Sequence, residues 1–164
     1  MASSIVAFEL GDREVEVVVR PLTTLQSVLR NQVGAMATKE GCRQGGCGSC
    51  TVLVDGEPML SCLLPVENVA GRRVTSVESI TPPEGLHPIQ EAFVEGNAFQ
   101  CGYCTPGMVM VAKALLDHEP DPTHEMIAEA LIGNVCRCTG YQPIIAAIGA
   151  AAGALQGSKR APER

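Results

Sequence analysis

The sequence contains no tryptophan, three phenylalanines and two tyrosines in 164 residues. At 3% aromatics, the large rings that usually dominate a core are scarce. Long apolar runs are missing too, and none approaches the ~20 residues of a membrane span. The N-terminal stretch lacks the basic start and apolar core of a secretory signal, and Arg72-Arg73 lies too deep for a twin-arginine signal. A cytoplasmic location is therefore expected. Positive charge is also short: the formal net charge is -6, so no nucleic-acid footprint is expected. Neither a G-x-G-x-x-G nor a G-x-x-x-x-G-K-[ST] run occurs, so no nucleotide loop is visible.

What the chain does have is eight cysteines, 17 glycines and 46% hydrophobic residues. Its length suits about one domain or two small ones. A chain poor in aromatics and rich in Cys and Gly gains order from something besides side-chain packing, such as disulfides or a metal centre.

The cysteines fall into two sets of four. Cys42, Cys47, Cys50 and Cys62 are spaced C-x4-C-x2-C-x11-C; Cys101, Cys104, Cys136 and Cys138 are spaced C-x2-C-x31-C-x-C. A disulfide framework needs an oxidising compartment, which the absent export signal argues against. Structural zinc takes four thiolates but usually pairs two short C-x2-4-C knuckles, and the first set has only one. A redox-active C-x-x-C does not call for six further cysteines. The C-x4-C-x2-C…C spacing is the plant-type [2Fe–2S] pattern. Such a cluster needs two thiolates on each iron and N–H donors to its sulfides. The loop Gly41–Cys50 suits this, because Gly45, Gly46 and Gly48 let the backbone approach closely. Arg43 is a candidate to offset cluster charge, or simply a solvated loop arginine.

Along the chain, Ile5–Leu10 and Glu14–Val19 flank Gly11-Asp12, a hairpin signal. A short helix is expected within Thr24–Gln32. Thr51–Val54 and Glu57–Leu60 flank Asp55-Gly56, the strongest hairpin signal here, with Cys62 just beyond. Arg73–Val77 reads as a last strand. The breaker cluster Thr81-Pro82-Pro83-Glu84-Gly85 marks a boundary, and helical patterns follow it. They start at Pro88, at Pro106, after Thr123 and at Pro143. The expected fold class is α+β, with a β-grasp, plant-type ferredoxin-like domain over 1–79 and a four-helix bundle over 84–157. Residues 158–164 read as a disordered tail. Both pairs of the second set precede helices, where orphan N–H groups and the dipole favour thiolates. This makes a second cluster plausible where spacing alone left the readings open. His87, His118 and His124 lack ligand spacing and read as surface residues. Tyr103 reads as packing over a cluster.

Three motifs carry a resemblance: Gly41 to Gly56 (GCRQGGCGSCTVLVDG), Gln100 to Met108 (QCGYCTPGM) and Gly133 to Tyr141 (GNVCRCTGY). Together they resemble the small iron–sulfur subunit of molybdenum hydroxylases, the xanthine dehydrogenase, aldehyde oxidase and carbon monoxide dehydrogenase family. The likeness spans roughly residues 5–155, and all eight cysteines match. It implies two [2Fe–2S] clusters held by the eight cysteines. It implies a large partner subunit that binds the molybdopterin cofactor, with FAD on a medium one, in a heterotrimer or a dimer of heterotrimers. Electrons would pass from the molybdenum centre to the helical-domain cluster, then to the ferredoxin-like cluster and on to FAD. The resemblance further assigns Gln100 and Cys138 to hydrogen bonds with the pterin. No catalytic residue is expected on this chain. The rival readings are a free-standing ferredoxin, which needs neither the helical region nor Gln100, and a zinc-binding interaction module.

Overall fold

The computed structural model describes residues 3–160, with side chains through residue 157. The chain opens with strands β1 (Ser4–Leu10) and β2 (Arg13–Val19), paired antiparallel in the register Leu10↔Arg13. Helix α1 (Leu25–Val28) follows, capped by the Thr24 hydroxyl, which accepts the N–H of Ser27. It runs on as a π-helical turn, Leu29–Val33. A second hairpin joins β3 (Thr51–Val54) to β4 (Glu57–Leu60). Its turn residues Asp55 and Gly56 both have positive φ, 52° and 92°, the type I′ geometry that matches strand twist. The Asp55 carboxylate also accepts from Arg72 Nε at 2.7 Å and from the Arg73 N–H at 2.9 Å, which ties this turn to β5 (Arg73–Thr75).

The five strands form one sheet in the order β2-β1-β5-β3-β4, with β1 and β5 parallel. This is the ferredoxin-like arrangement expected, with β5 ending two residues earlier than the sequence pattern. Alternation on β1 sends Val6, Phe8 and Leu10 into a core shared with Leu25, Val28, Leu29, Val52 and Val54.

Four helices follow: α2 (Pro88–Glu95), α3 (Thr105–His118), α4 (His124–Ala130) and α5 (Gln142–Arg160). A second core unites Ile89, Phe93, Met108, Ala112, Ile127, Leu131, Ile144, Ile148 and Ala151. Helix α5 continues through Arg160, three residues into the stretch read as a tail; residues 161–164 lie outside the described residues. His87 is corrected more substantially. It is half-buried, and its Nδ1 caps α2 by accepting the Ile89 N–H at 3.2 Å. The Gln90 side chain accepts the His87 N–H at 2.9 Å in return, completing a capping box.

The helices do not hang free of the sheet. Leu53, on the face of β3 away from α1, packs against Met110 and Ala114 of α3. All four residues of β3 are therefore buried, which explains its unbroken apolar run Val52-Leu53-Val54. Burying side chains such as Leu53 and Met110 is worth about 1.5–3 kcal/mol each.

Candidate metal centres

The eight cysteines are free thiols that sort into pairs. Cys42 interacts with Cys47, Cys50 with Cys62 and Cys104 with Cys136. Cys138 Sγ lies 3.7 Å from Cys101 Sγ. Among the described residues no three His, Cys, Asp or Glu side chains converge on one point. Pairs of thiols are what a two-iron cluster requires, with two thiolates on each iron.

Cys42, Cys47 and Cys50 of the first set sit in the loop before β3, and Cys62 follows β4. The N–H groups of Gln44 and Gly46 donate to Cys42 Sγ at 3.5 and 3.3 Å. Led by the Gln44 N–H, with the Cys47 thiol next, these partners lower the Cys42 pKa to about 7. Cys47 Sγ meets Ser49 Oγ at 3.2 Å. Gly41 is required here by space: a Cβ would stand 2.8 Å from both Cys47 Sγ and Ser49 Oγ. Cys50 and Cys62 are buried, and burial pushes the Cys50 thiol up to about 11. Arg43 is exposed and pairs with Glu40, so it is a solvated loop arginine.

The second set spans two loops. Cys104 is the N-cap residue of α3; burial first, then Cys136, push its thiol up to about 12. Cys136 behaves oppositely. Burial alone would raise it, but the Thr139 hydroxyl at 3.1 Å and N–H at 3.5 Å outweigh that and lower it. These donors revise the dipole expectation for Cys136 and Cys138. The pair lies on the turn before α5, and Thr139 rather than the first turn of that helix serves Cys136. Cys101 and Cys138 are exposed, and the Cys101 thiol raises Cys138. Beside them, Gln100 Nε2 donates to the Cys138 carbonyl at 3.1 Å. Arg137 is exposed.

The two sets meet at a seam. The Val135 N–H donates to the Cys47 carbonyl at 2.9 Å, and Asn134 Nδ2 to the Gly48 carbonyl at 3.0 Å. Tyr103 Oη donates to the Glu40 carbonyl at 2.6 Å, so it ties loop to loop. Asn134, Ser49, Thr139 and the seam glycine Gly107 escaped the sequence reading. Asn134 and Gly48 are 86 residues apart, and no local signal pairs them.

These residues fit two [2Fe–2S] clusters. The donor set is all thiol, N–H and hydroxyl groups already point at sulfur, and Gly41 leaves room where a side chain would collide. Thr105, immediately after Cys104, keeps a buried hydroxyl without a protein partner, a donor available to a sulfur acceptor.

Comparison with known proteins agrees. Residues 4–100 match the model of a "2Fe-2S iron-sulfur cluster binding domain", and residues 76–149 that of a "[2Fe-2S] binding domain". A nicotinate dehydrogenase subunit of Pseudomonas putida is 42% identical over 147 residues, covering 90% of this chain and 94% of that one. The nicotinate dehydrogenase small FeS subunit of Eubacterium barkeri is 43% identical, covering 80% of this chain and 84% of that one. The chain belongs to the [2Fe–2S] subunit family of the molybdenum hydroxylases. A crystal structure of quinoline 2-oxidoreductase from Pseudomonas putida 86 superposes with a TM-score of 0.91 at 39% identity, covering 94% of this chain and 97% of that one. This molybdenum-hydroxylase subunit is an oxidoreductase component that carries electrons, and the free-standing ferredoxin reading is not favoured. No helix among the described residues is long and apolar enough to cross a membrane.

Proposed function

We propose that this subunit connects a molybdopterin-binding large subunit to a medium FAD-binding subunit, in a heterotrimer or a dimer of heterotrimers. When bound, the two [2Fe–2S] clusters supply one-electron redox chemistry. The chain's own residues hold, orient and insulate. Cys42, Cys47, Cys50 and Cys62 would hold one cluster within a ferredoxin-like domain over 1–79. Cys101, Cys104, Cys136 and Cys138 would hold the other within a four-helix domain over 84–157.

One observation carries the direction of travel. Gln100 and Cys138, the two residues that the family likeness assigns to the pterin, are joined by the 3.1 Å hydrogen bond although 38 residues separate them. Both lie exposed on the same edge as Cys101. That edge faces the molybdopterin partner and receives electrons. The Cys104/Cys136 pair behind it is more buried and adjoins the seam. The half-exposed Cys42 and Cys47 lie across the seam, and their loop faces the electron acceptor. Free thiols throughout suit a cytoplasmic, reducing environment.

The test is purification of the chain with its neighbouring gene products. The expected preparation holds about four iron and four acid-labile sulfide per chain, no zinc, and stoichiometric molybdenum and flavin. A chain isolated alone with zinc, or shuttling electrons without molybdenum, would overturn the proposal. The relatives named for nicotinate and quinoline make nitrogen heteroaromatics the first substrates to assay.

A further inference from the structure

Tyr141 has φ 69°, a left-handed conformation that bulky L-residues rarely adopt, and it follows Gly140, also at φ 69°. Such a backbone persists only where the surroundings fix it. Here the tyrosine uses every polar group it has. Its N–H donates to Thr139 Oγ1 at 3.2 Å, and its carbonyl accepts the Ile145 N–H at 3.0 Å, inside α5. Its ring packs partly buried against the helical core. Its hydroxyl accepts the Cys136 N–H at 3.0 Å and donates to the Asn134 carbonyl at 3.1 Å.

The hydroxyl therefore clasps the backbone on both sides of Val135. We infer that Tyr141 is a positioning residue for the Cys136 ligand: its hydroxyl holds the Cys136 N–H on oxygen and away from sulfur. The N–H and hydroxyl that do reach Cys136 Sγ come from Thr139. The number of donors on the ligand sulfurs is one of the protein's controls over a cluster's potential, because each added donor favours the more negative, reduced form. The phenol thus fixes that number at the helical site. Because Asn134 and Val135 also grip Gly48 and Cys47, the same clasp holds the Cys136 loop against the seam.

This inference rests on cluster binding, and its test separates the two. In the assembled holoenzyme, Tyr141→Phe removes the clasp and leaves the ring. The midpoint potential of each centre is followed by redox titration with electron paramagnetic resonance. The helical-site signal is identified as the one missing from Cys104→Ser. The expected result is a full iron content, an upward shift of the helical-site potential and an unmoved potential for the other centre. An unmoved helical-site potential, or an equal shift at both centres, would overturn the role of Tyr141 while leaving cluster binding intact. A wild-type enzyme without the two signals would instead remove cluster binding itself. If Tyr141→Phe fails to assemble, 3-fluorotyrosine placed at 141 keeps the ring and weakens the oxygen as an acceptor. A smaller upward shift at the same centre is expected, and no shift would overturn the inference.

Discussion

The peptide N–H of Val135 donates to the carbonyl oxygen of Cys47 at 2.9 Å. Val135 is bonded directly to Cys136. One hydrogen bond and a short stretch of backbone therefore link a cysteine of one set to a cysteine of the other. Under the proposed function two redox centres need a short and rigid bridge, and this backbone contact, which uses no flexible side chain, would serve as one. Val135 is half exposed, but the backbone beside this contact is closely packed around Gly48 and Asn134.

Gly107, in the first turn of α3, shows how tight. A Cβ there would stand 2.3 Å from the Gly48 carbonyl oxygen and 2.9 Å from Asn134 Nδ2. The first neighbour is backbone and cannot swing aside. Gly107→Ala is expected to destabilise the chain by about 1–3 kcal/mol, through overpacking. Gly149 on the exposed face of α5 is the control, because a Cβ there meets nothing within 4 Å. Gly149→Ala is expected to stabilise by about 0.5–1 kcal/mol, since alanine loses less backbone entropy in a helix. Urea unfolding of both variants measures the contrast, and equal effects would refute the seam as a packing constraint.

Cys104→Ser tests the pairing of thiols. Serine replaces one of the two thiols in the Cys104/Cys136 pair and leaves the first set untouched. Iron is expected to fall from about four to about two per chain, with the plant-type signal retained. In the holoenzyme, turnover should fall while KM stays nearly level, because the proposed function puts the substrate site on another chain. Loss of all iron would mean that the two sets do not bind independently.

Much of this was legible because spacing along the chain encodes local geometry. The two hairpins are written in Gly11-Asp12 and Asp55-Gly56, the starts of α2 and α4 in Pro88 and Thr123, and the cluster loop in its glycines. What stayed hidden is non-local. The π-helical turn at Leu29–Val33 continues α1 with no signal that separates it from ordinary helix. Asn134 looks like any loop asparagine until the fold brings Gly48 to it. Leu53 reads as half of an ordinary strand until α3 covers its other face. His87 has no ligand spacing, and its use as a cap depends on where α2 begins.

That cap makes stability depend on pH. His87 Nδ1 accepts the Ile89 N–H, so the ring must be unprotonated on that nitrogen. Burial first, then the Lys113 charge, hold its pKa below the ordinary value of 6.5. The unfolded chain thus takes up a proton at higher pH than the folded one. The contribution of the cap is complete above the unfolded pKa. It is lost as pH falls through that value towards the lower folded pKa. His87→Asn keeps a cap without titration. Between about pH 7.5 and about pH 5.5 the wild type should lose more stability than the variant in urea unfolding. Equal losses would remove His87 as the cause.

Asn134→Asp reverses one polarity at the seam. Asn134 is 3% exposed, and its Nδ2 donates to the Gly48 carbonyl oxygen at 3.0 Å. Aspartate puts an acceptor against an acceptor and buries a charge, so the carboxyl pKa in the folded state must rise above its unfolded value of about 3.9. A raised folded pKa means that the folded form is least penalised when the group is protonated. The penalty therefore grows as pH climbs through the folded pKa. Asn134→Ala lacks the charge and removes one donor from the Gly48 carbonyl, which keeps the Thr51 N–H at 3.1 Å and hydroxyl at 2.7 Å, at a cost of about 0.5–1.5 kcal/mol at any pH. The gap between the two variants should be small near about pH 4 and widen towards neutrality, read from unfolding midpoints across the range. A gap that stays constant with pH would mean that the seam opens to water and that the Asn134 contact does not hold the two cysteine sets together.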